Sequence, residues 1–158
     1  MSKVNIITGN KHSGKTTFLL NKIQELRKEG VKVLGLISRG TFVDNKRHSF
    51  YIQDVETKEE QLLMSSDIIE NAEKIGRFYI QQTAFDWGIK LLQKAINSDN
   101  KIIVLDEIGR FELENKGWSN ILSELINSEK ELYWVVRKEW VNKVIEKFEI
   151  DNFRIIQI

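Results

Sequence analysis

Eight consecutive residues, Gly9-Asn10-Lys11-His12-Ser13-Gly14-Lys15-Thr16, fit the pattern G-x-x-x-x-G-K-[ST], and no other stretch of the chain constrains its fold so tightly. Glycines at the fixed positions let the backbone curl until successive N–H groups point inward at an anion. A helix starting directly behind the loop adds its positive N-terminal end to the same place. The pattern therefore demands a strand before it and a helix after it, and both are legible. Lys3 to Thr8 carries Val4, Ile6 and Ile7; from Lys15 onward Leu19, Ile23 and Leu26 recur on one helical face, as far as Gly30, a residue suited to a left-handed helix stop. Such a loop holds a nucleoside triphosphate. Gly9, Asn10, Lys11, His12, Ser13, Gly14 and Thr17 would form the cradle, Lys15 would reach the β and γ phosphates, and the Thr16 hydroxyl would ligate Mg²⁺. His12 is expected to face solvent, contributing its backbone more than its ring.

Val31 to Ser38 is apolar and β-branched, so the first thirty-eight residues read as a βαβ unit with a parallel pair. From Arg47 to Met64 the pattern changes: Phe50, Ile52 and Val55 alternate, Glu56 to Glu59 form a polar break, and Leu62 and Leu63 follow, which predicts an antiparallel hairpin. A strand is expected at Arg77 to Gln81. Thr83 with Asp86 resembles a capping box opening a helix with Phe85, Ile89, Leu92 and Ile96 inward. Lys101 to Leu105 is a nearly unbroken apolar run, as a strand buried on both faces should be. Helix, strand, helix and strand then alternate over Trp118 to Asn127, Glu131 to Val136, Glu139 to Phe148 and Phe153 to Gln157. The expected fold is α/β, a mostly parallel sheet flanked by helices, with an antiparallel hairpin inserted around residues 47–64. With no proline, no Gly/Ser-rich linker and no repeat, residues 1–158 read as a single domain.

The run from Lys101 ends in Asp106-Glu107, and two acids closing a buried strand are costly unless they face a cleft, a metal or a partner. In an open α/β sheet the ligand lies beyond the carboxyl ends of the strands, so this pair and the loop should meet in one crevice. Asp106 would hold Mg²⁺, directly or through water, and Glu107 would accept a proton from, or aim, an attacking water. Asp106-Glu107-Ile108-Gly109 also fits the D-x-x-G of a switch GTPase. That reading requires a later Asn/Thr-Lys-x-Asp, and Asn142-Lys143-Val144-Ile145 lacks the aspartate.

Charge and cysteine narrow the setting. Twenty-four basic and 23 acidic residues leave a formal net charge of +1, which gives no global field for nucleic acid or a membrane surface and leaves nucleic-acid contact to a local patch. The absence of cysteine excludes disulfides and thiolate metal sites and fits a reducing cytoplasm. No signal-peptide pattern opens the chain and no run approaches about 20 apolar residues, so neither export nor a membrane span is expected.

Taken together, Gly9 to Thr17, Leu34-Gly35-Leu36-Ile37-Ser38, Gly76-Arg77-Phe78-Tyr79 and above all Val104-Leu105-Asp106-Glu107-Ile108-Gly109-Arg110-Phe111-Glu112-Leu113 resemble the THEP-type nucleoside-triphosphatases, in the same order over nearly the whole chain. The resemblance implies a RecA-like P-loop fold and slow, base-tolerant, Mg²⁺-dependent hydrolysis of nucleoside triphosphates to diphosphates. The chain departs from the family at Ser38-Arg39-Gly40, where a threonine and acidic residues are usual, and in a lysine-rich, glycine-poor hairpin. Those departures bear on substrate preference.

Phosphoryl transfer calls for a positive charge on the γ-phosphate as its bond breaks. Arg110, three residues after the acidic pair and at the family's basic position, is the first candidate, with Arg39, Arg77 and Arg137 as rivals. Trp87, Trp118, Trp134 and Trp140 are expected to pack in the core. His12 and His48 supply no ligand set. Two other activities fit the same motifs: a nucleotide or polynucleotide kinase-like phosphotransferase with the hairpin covering the site, and a nucleotide-gated adaptor resembling the GTP-binding proteins of molybdopterin cofactor assembly.

Overall fold

Phosphate loop and acidic pair are joined by one nine-stranded sheet, seen in a computed structural model that describes residues 1–158. The strands are β1 (Val4–Gly9), β2 (Val33–Val43), β3 (Lys46–Asp54), β4 (Glu60–Ser65), β5 (Glu73–Ile75), β6 (Phe78–Ile80), β7 (Ile102–Ile108), β8 (Glu131–Arg137) and β9 (Phe153–Gln157). Their order across the sheet is β5-β6-β4-β3-β2-β7-β8-β1-β9. β2, β7, β8, β1 and β9 are parallel, and β3, β4, β6 and β5 extend the sheet antiparallel beyond β2. The helices are α1 (Lys15–Lys28), α2 (Gln82–Ile96), α3 (Arg110–Leu113), α4 (Ser119–Ile126) and α5 (Val141–Lys147), the last entered through a 3₁₀ turn at Lys138–Trp140.

Period-two alternation sorts the parallel strands onto two cores. Ile102, Val104, Tyr133, Val135 and Ile7 face α1, whose Leu19, Ile23 and Leu26 cover them. Ile103, Leu105, Leu132, Trp134 and Ile6 face the opposite layer, filled by Phe85 and Leu92 of α2, Leu122 and Leu125 of α4 and Val144 of α5. Helix α1 ends as its sequence requires: Gly30 takes φ +80, its N–H bonds the Arg27 carbonyl at 3.0 Å, and the Val31 N–H bonds Leu26 O at 3.0 Å. Trp118 and Trp134 are fully buried, and Trp87 and Trp140 pack half-buried against the same core.

Several local expectations are corrected. β1 and β2 are parallel but not neighbours, because β8 and β7 stand between them; which strand fills the slot beside β1 is decided by contacts far along the chain. The hairpin around residues 47–64 forms as β3 and β4, yet β2 runs on through Arg39–Val43 and itself pairs antiparallel with β3, so the antiparallel part is larger than one hairpin. The strand near Arg77 is only Phe78–Ile80, paired antiparallel with β4 and β5. Thr83 and Asp86 form no capping box. α2 begins two residues earlier than a Thr83 cap would set, behind Gln81, which makes no side-chain cap, and Asp86 accepts from Gln82 Nε2 at 3.2 Å. Its inner face is Ala84, Phe85, Gly88, Leu92 and Ala95, with Ile89 and Ile96 only half-buried, because Gly88 lets Trp118 and Leu36 press against the helix.

Candidate functional site

The phosphate loop leaves β1 at Gly9, and a methyl at that position would come within 2.5 Å of Ser13 Oγ, so the loop closes tightly on its own start. Its curl uses two left-handed residues, His12 (φ 62) and Gly14 (φ 90). Asn10 to Gly14 are exposed, His12 among them as expected. Lys15 is buried at the head of α1, and its Nζ donates to the Asn10 carbonyl at 2.7 Å. Burial pulls the Lys15 amine below its ordinary value; Glu107 opposes that shift, Arg137 adds to it and Asp106 opposes it.

Asp106 lies on the α1 face of β7, in step with Ile102 and Val104. There its Oδ2 accepts from the Thr16 hydroxyl at 2.9 Å and from the Ser38 N–H at 3.0 Å. Loop, acid and β2 are thus tied together. Burial, with the Glu107 charge beside it, pushes Asp106 up to about 7 against the pull of those two donors. Its other oxygen, Oδ1, is buried without any partner. A lone carboxylate oxygen beside a threonine hydroxyl suits a hard divalent cation that completes its shell with phosphate oxygens and water. No group of three or more His, Asp or Glu is assembled for an all-protein metal cage.

Glu107 is set by a bulge. Leu105 pairs with Trp134 and Ile108 with Val136, so β7 fits one residue more than β8 at this point, and Glu107 takes φ 61. A non-glycine residue held left-handed at a strand end costs about 1–3 kcal/mol and is a device for re-aiming a side chain beside a site. The Glu107 charge reaches Lys15, Asp106, Glu112 and Arg47.

Two groups here were not singled out by sequence reasoning. Glu112 is buried behind the acidic pair and accepts from Gly109 N at 2.7 Å and Trp118 N at 3.0 Å, fixing the turn after β7; burial pushes it up to about 7. Its signal was the acid in an otherwise apolar Phe111-Glu112-Leu113. Arg47 opens β3 beneath the β2–β3 turn. Its guanidinium lies over the Phe42 ring at 4.7 Å and the Phe50 ring at 4.3 Å, against the bare Cα of Gly40, and its Nε is buried without a partner. Phe42 stands 6.1 Å from the His12 ring, so this hairpin hangs over the phosphate loop.

The four arginines weighed from sequence fall in different places. Arg110 is exposed at the head of α3 and pairs with Glu114 at 3.3 Å. Arg39 points away from Gly40 and Ser38, as strand alternation dictates, and is bound by Glu60 at 2.7 Å. Arg137 ends β8 beside Gly9, and Arg77 lies over the Phe78 ring at 4.5 Å. Neither these two nor Arg47 has a carboxylate partner. Burial lowers Arg47 below its ordinary value; Glu107 opposes that shift, and Arg137 and Arg77 add to it. Arg137 thus lies within electrostatic reach of both Lys15 and Arg47.

Comparison with known proteins bears on the family and the fold. A family model described as NTPase matches residues 5–158. The nucleoside-triphosphatase THEP1 of Methanocaldococcus jannaschii is 32% identical over 145 residues, covering 91% of this chain and 84% of the relative. Among solved structures, the crystal structure of THEP1 from the hyperthermophile Aquifex aeolicus superposes with a TM-score of 0.75 at 20% identity, covering 98% of this chain and 88% of that one. The solution structure of a human cancer-related nucleoside triphosphatase does so with a TM-score of 0.77 at 16% identity, covering 99% and 89%. These two likenesses establish the α/β fold. No helix is long and apolar enough to cross a membrane.

Proposed function

The chain belongs to the NTPase family and is a nucleoside-triphosphatase, and from that premise we propose that it hydrolyses its substrates to diphosphate and phosphate with Mg²⁺, slowly and with little regard for the base. The observation that carries the reading is the 2.9 Å bond between Thr16 and Asp106, which joins the two phosphate-directed motifs around one unpartnered carboxylate oxygen. Breadth is supported by the character of the gathered groups, all of which address phosphate or metal. Slowness fits a loop whose Asn10 to Gly14 stay open to water.

In this reading the backbone from Gly9 to Thr17 and the α1 N-terminus bind the phosphates, and Lys15 lies on the β and γ groups. Thr16 and Asp106 would hold the cation, which would supply positive charge against that developing on the phosphates. Glu107, re-aimed by the bulge, takes the proton of the attacking water. The positive charge on the γ-phosphate comes from Arg47 and Arg137, which are unpaired, ahead of Arg110, which Glu114 engages. Replacing Glu107 by Gln should preserve nucleotide binding and lower phosphate release by about 100-fold or more. Undiminished turnover in that variant would remove Glu107 from the chemistry.

A further inference from the structure

On the far side of the acidic pair lies a cavity of about 460 Å³ that hydrolysis leaves unused. Its walls are β3, β4 and the β5–β6 hairpin, then Phe85 of α2, then the stretch from Asp106 to Glu112, backed by Trp118, Trp140 and Arg137. No residue of the loop Gly9–Thr17 reaches it. Asp106, bonded to Thr16 and also lining the cavity, forms with Glu107 the partition between loop and cavity. Since Lys15 and Thr16 address the β and γ phosphates, the base of a bound triphosphate lies away from this partition and the γ end lies against it. The cavity is therefore not the pocket of that base.

Its size and walls describe an occupant. One attacking water needs about 30 Å³, so this space is on the order of fifteen times too large for hydrolysis. It falls instead within the roughly 300–1,000 Å³ of small-molecule sites. Flat apolar surfaces meet there: Phe50 and Phe78 edge to face at 5.9 Å, Phe85 and Trp118 at 4.8 Å. Ordering water against such walls is unfavourable, whereas a flat ring displaces it. Arg77, which lines the cavity and is steadied over Phe78, presents a guanidinium with no carboxylate to satisfy it. Flat ring, anion and contact with Glu107 are the three things the cavity accommodates.

We infer that this cavity binds a second substrate, a small molecule combining a flat ring, an anionic group and a hydroxyl, and that the γ-phosphoryl group is transferred to that hydroxyl. The inference rests on the triphosphate reading of the loop. In the step, the hydroxyl oxygen attacks Pγ and its proton passes to the Glu107 carboxylate. The bond from Pγ to the β,γ-bridging oxygen breaks, and the nucleoside diphosphate leaves with the electron pair. Without an acceptor, water takes the same place and hydrolysis results.

Two measurements test it. The first uses 1-anilinonaphthalene-8-sulfonate, a flat anionic fluorophore, on the intact chain with saturating Mg·ADP present. It should bind at one site, undisplaced by nucleotide, and at least tenfold more weakly to Ile75→Trp, which fills the cavity, and to Arg77→Gln, which removes a rim cation. Absence of binding, displacement by nucleotide, or equal affinity in both variants overturns the site. The second follows γ-labelled ATP in two arms, one with nucleoside monophosphates and one with pyridoxine 5′-phosphate as a flat phosphorylated alcohol that is not a nucleotide. Label should enter one arm's compound faster than free phosphate appears, and the two variants should lose that transfer while keeping acceptor-free phosphate release within twofold. Label in free phosphate alone, in both arms, overturns the transfer. Hydrolysis is judged separately, in the acceptor-free reaction with Glu107→Gln, so either reading can fail while the other stands.

Discussion

Gly40 allows the role of Arg47 to be tested without disturbing the fold. A methyl group at this position would lie 2.5 Å from Arg47 Nη1, 2.7 Å from Cζ and 2.8 Å from Nε. Non-bonded contact needs about 3.5 Å, so Gly40→Ala must push the guanidinium back by roughly 1 Å. Only the end of a flexible side chain stands in the way, and no backbone has to move. Alanine recovers about 0.5–1 kcal/mol of the entropy that glycine costs in a strand. Weakened stacking of Arg47 on Phe42 and Phe50 gives back a similar ~1 kcal/mol, which leaves the melting temperature within ~3 °C of the parent. Catalysis is far less forgiving: a charge set ~1 Å from its working place costs about 100-fold in rate. The expected result is therefore a folded protein with kcat down by 10- to 100-fold and KM little changed, because Lys15 and the loop carry ground-state binding. Arg47→Ala should lose roughly 1,000-fold. Steady-state phosphate release as a function of triphosphate concentration, beside a thermal melt, gives both numbers. A Gly40→Ala protein with parental kcat, or a loss that appears wholly in KM, would refute the placement of Arg47 on the γ-phosphate.

Two further outcomes follow from the buried acids. Glu112, pushed up from 4.5 to about 7, binds more protons folded than unfolded between those values, so stability should fall as pH rises through that window, by roughly 3 kcal/mol once above it. In Glu112→Gln that slope should vanish. The Gly109 and Trp118 N–H groups bond different carboxylate oxygens, and in Gln one of these becomes an NH2 that cannot accept, so the variant should also be weaker by about 1–3 kcal/mol at pH 5, and urea unfolding across pH 5 to 8 reads both effects. Asp106→Asn should abolish the response of phosphate release to Mg²⁺, yet raise the melting temperature of the metal-free protein at pH 8 by ~3 °C or more, since a buried carboxylate with one orphaned oxygen is replaced by a neutral group.

How much was legible in the sequence depends on how far a feature's causes lie along the chain. The loop, the helix stop at Gly30 and the apolar run into Asp106-Glu107 are local patterns, and each took the form its residues imply. The meeting of Thr16 with Asp106 was legible too, because strand ends in a parallel sheet share one edge wherever the strands stand in the order. The order itself was not, since β8 reaches the slot beside β1 only after more than a hundred residues have folded. Arg47 was hidden for the same reason: an arginine opening an alternating strand is ordinary until Gly40, Phe42 and Phe50 close around it from two strands. The failed capping box at Thr83 shows the converse, a local pattern overrun by a helix that already starts at Gln82.

The site depends on β2 belonging to both halves of the sheet. Val33 to Leu36 pairs parallel with β7, and Leu36 to Val43 pairs antiparallel with β3. At Gly35 a side chain would run into the Val104 backbone, which holds the parallel half close; past Leu36 the strand is free of β7, and its Ser38 N–H turns to Asp106. β2 therefore overhangs the end of β7 and carries Gly40, Phe42 and, through the turn, Arg47 across the crevice. The parallel half supplies loop, lysine, the acidic pair and Arg137; the antiparallel half supplies Arg47 and one wall of the cavity. Glu107 stands at the junction because the bulge that re-aims it occurs where β7 parts from β2. In the proposed reading the triphosphate is therefore held by the parallel half, and its γ-phosphoryl group lies where Glu107 and Arg137 of that half meet the charge of Arg47 from the other.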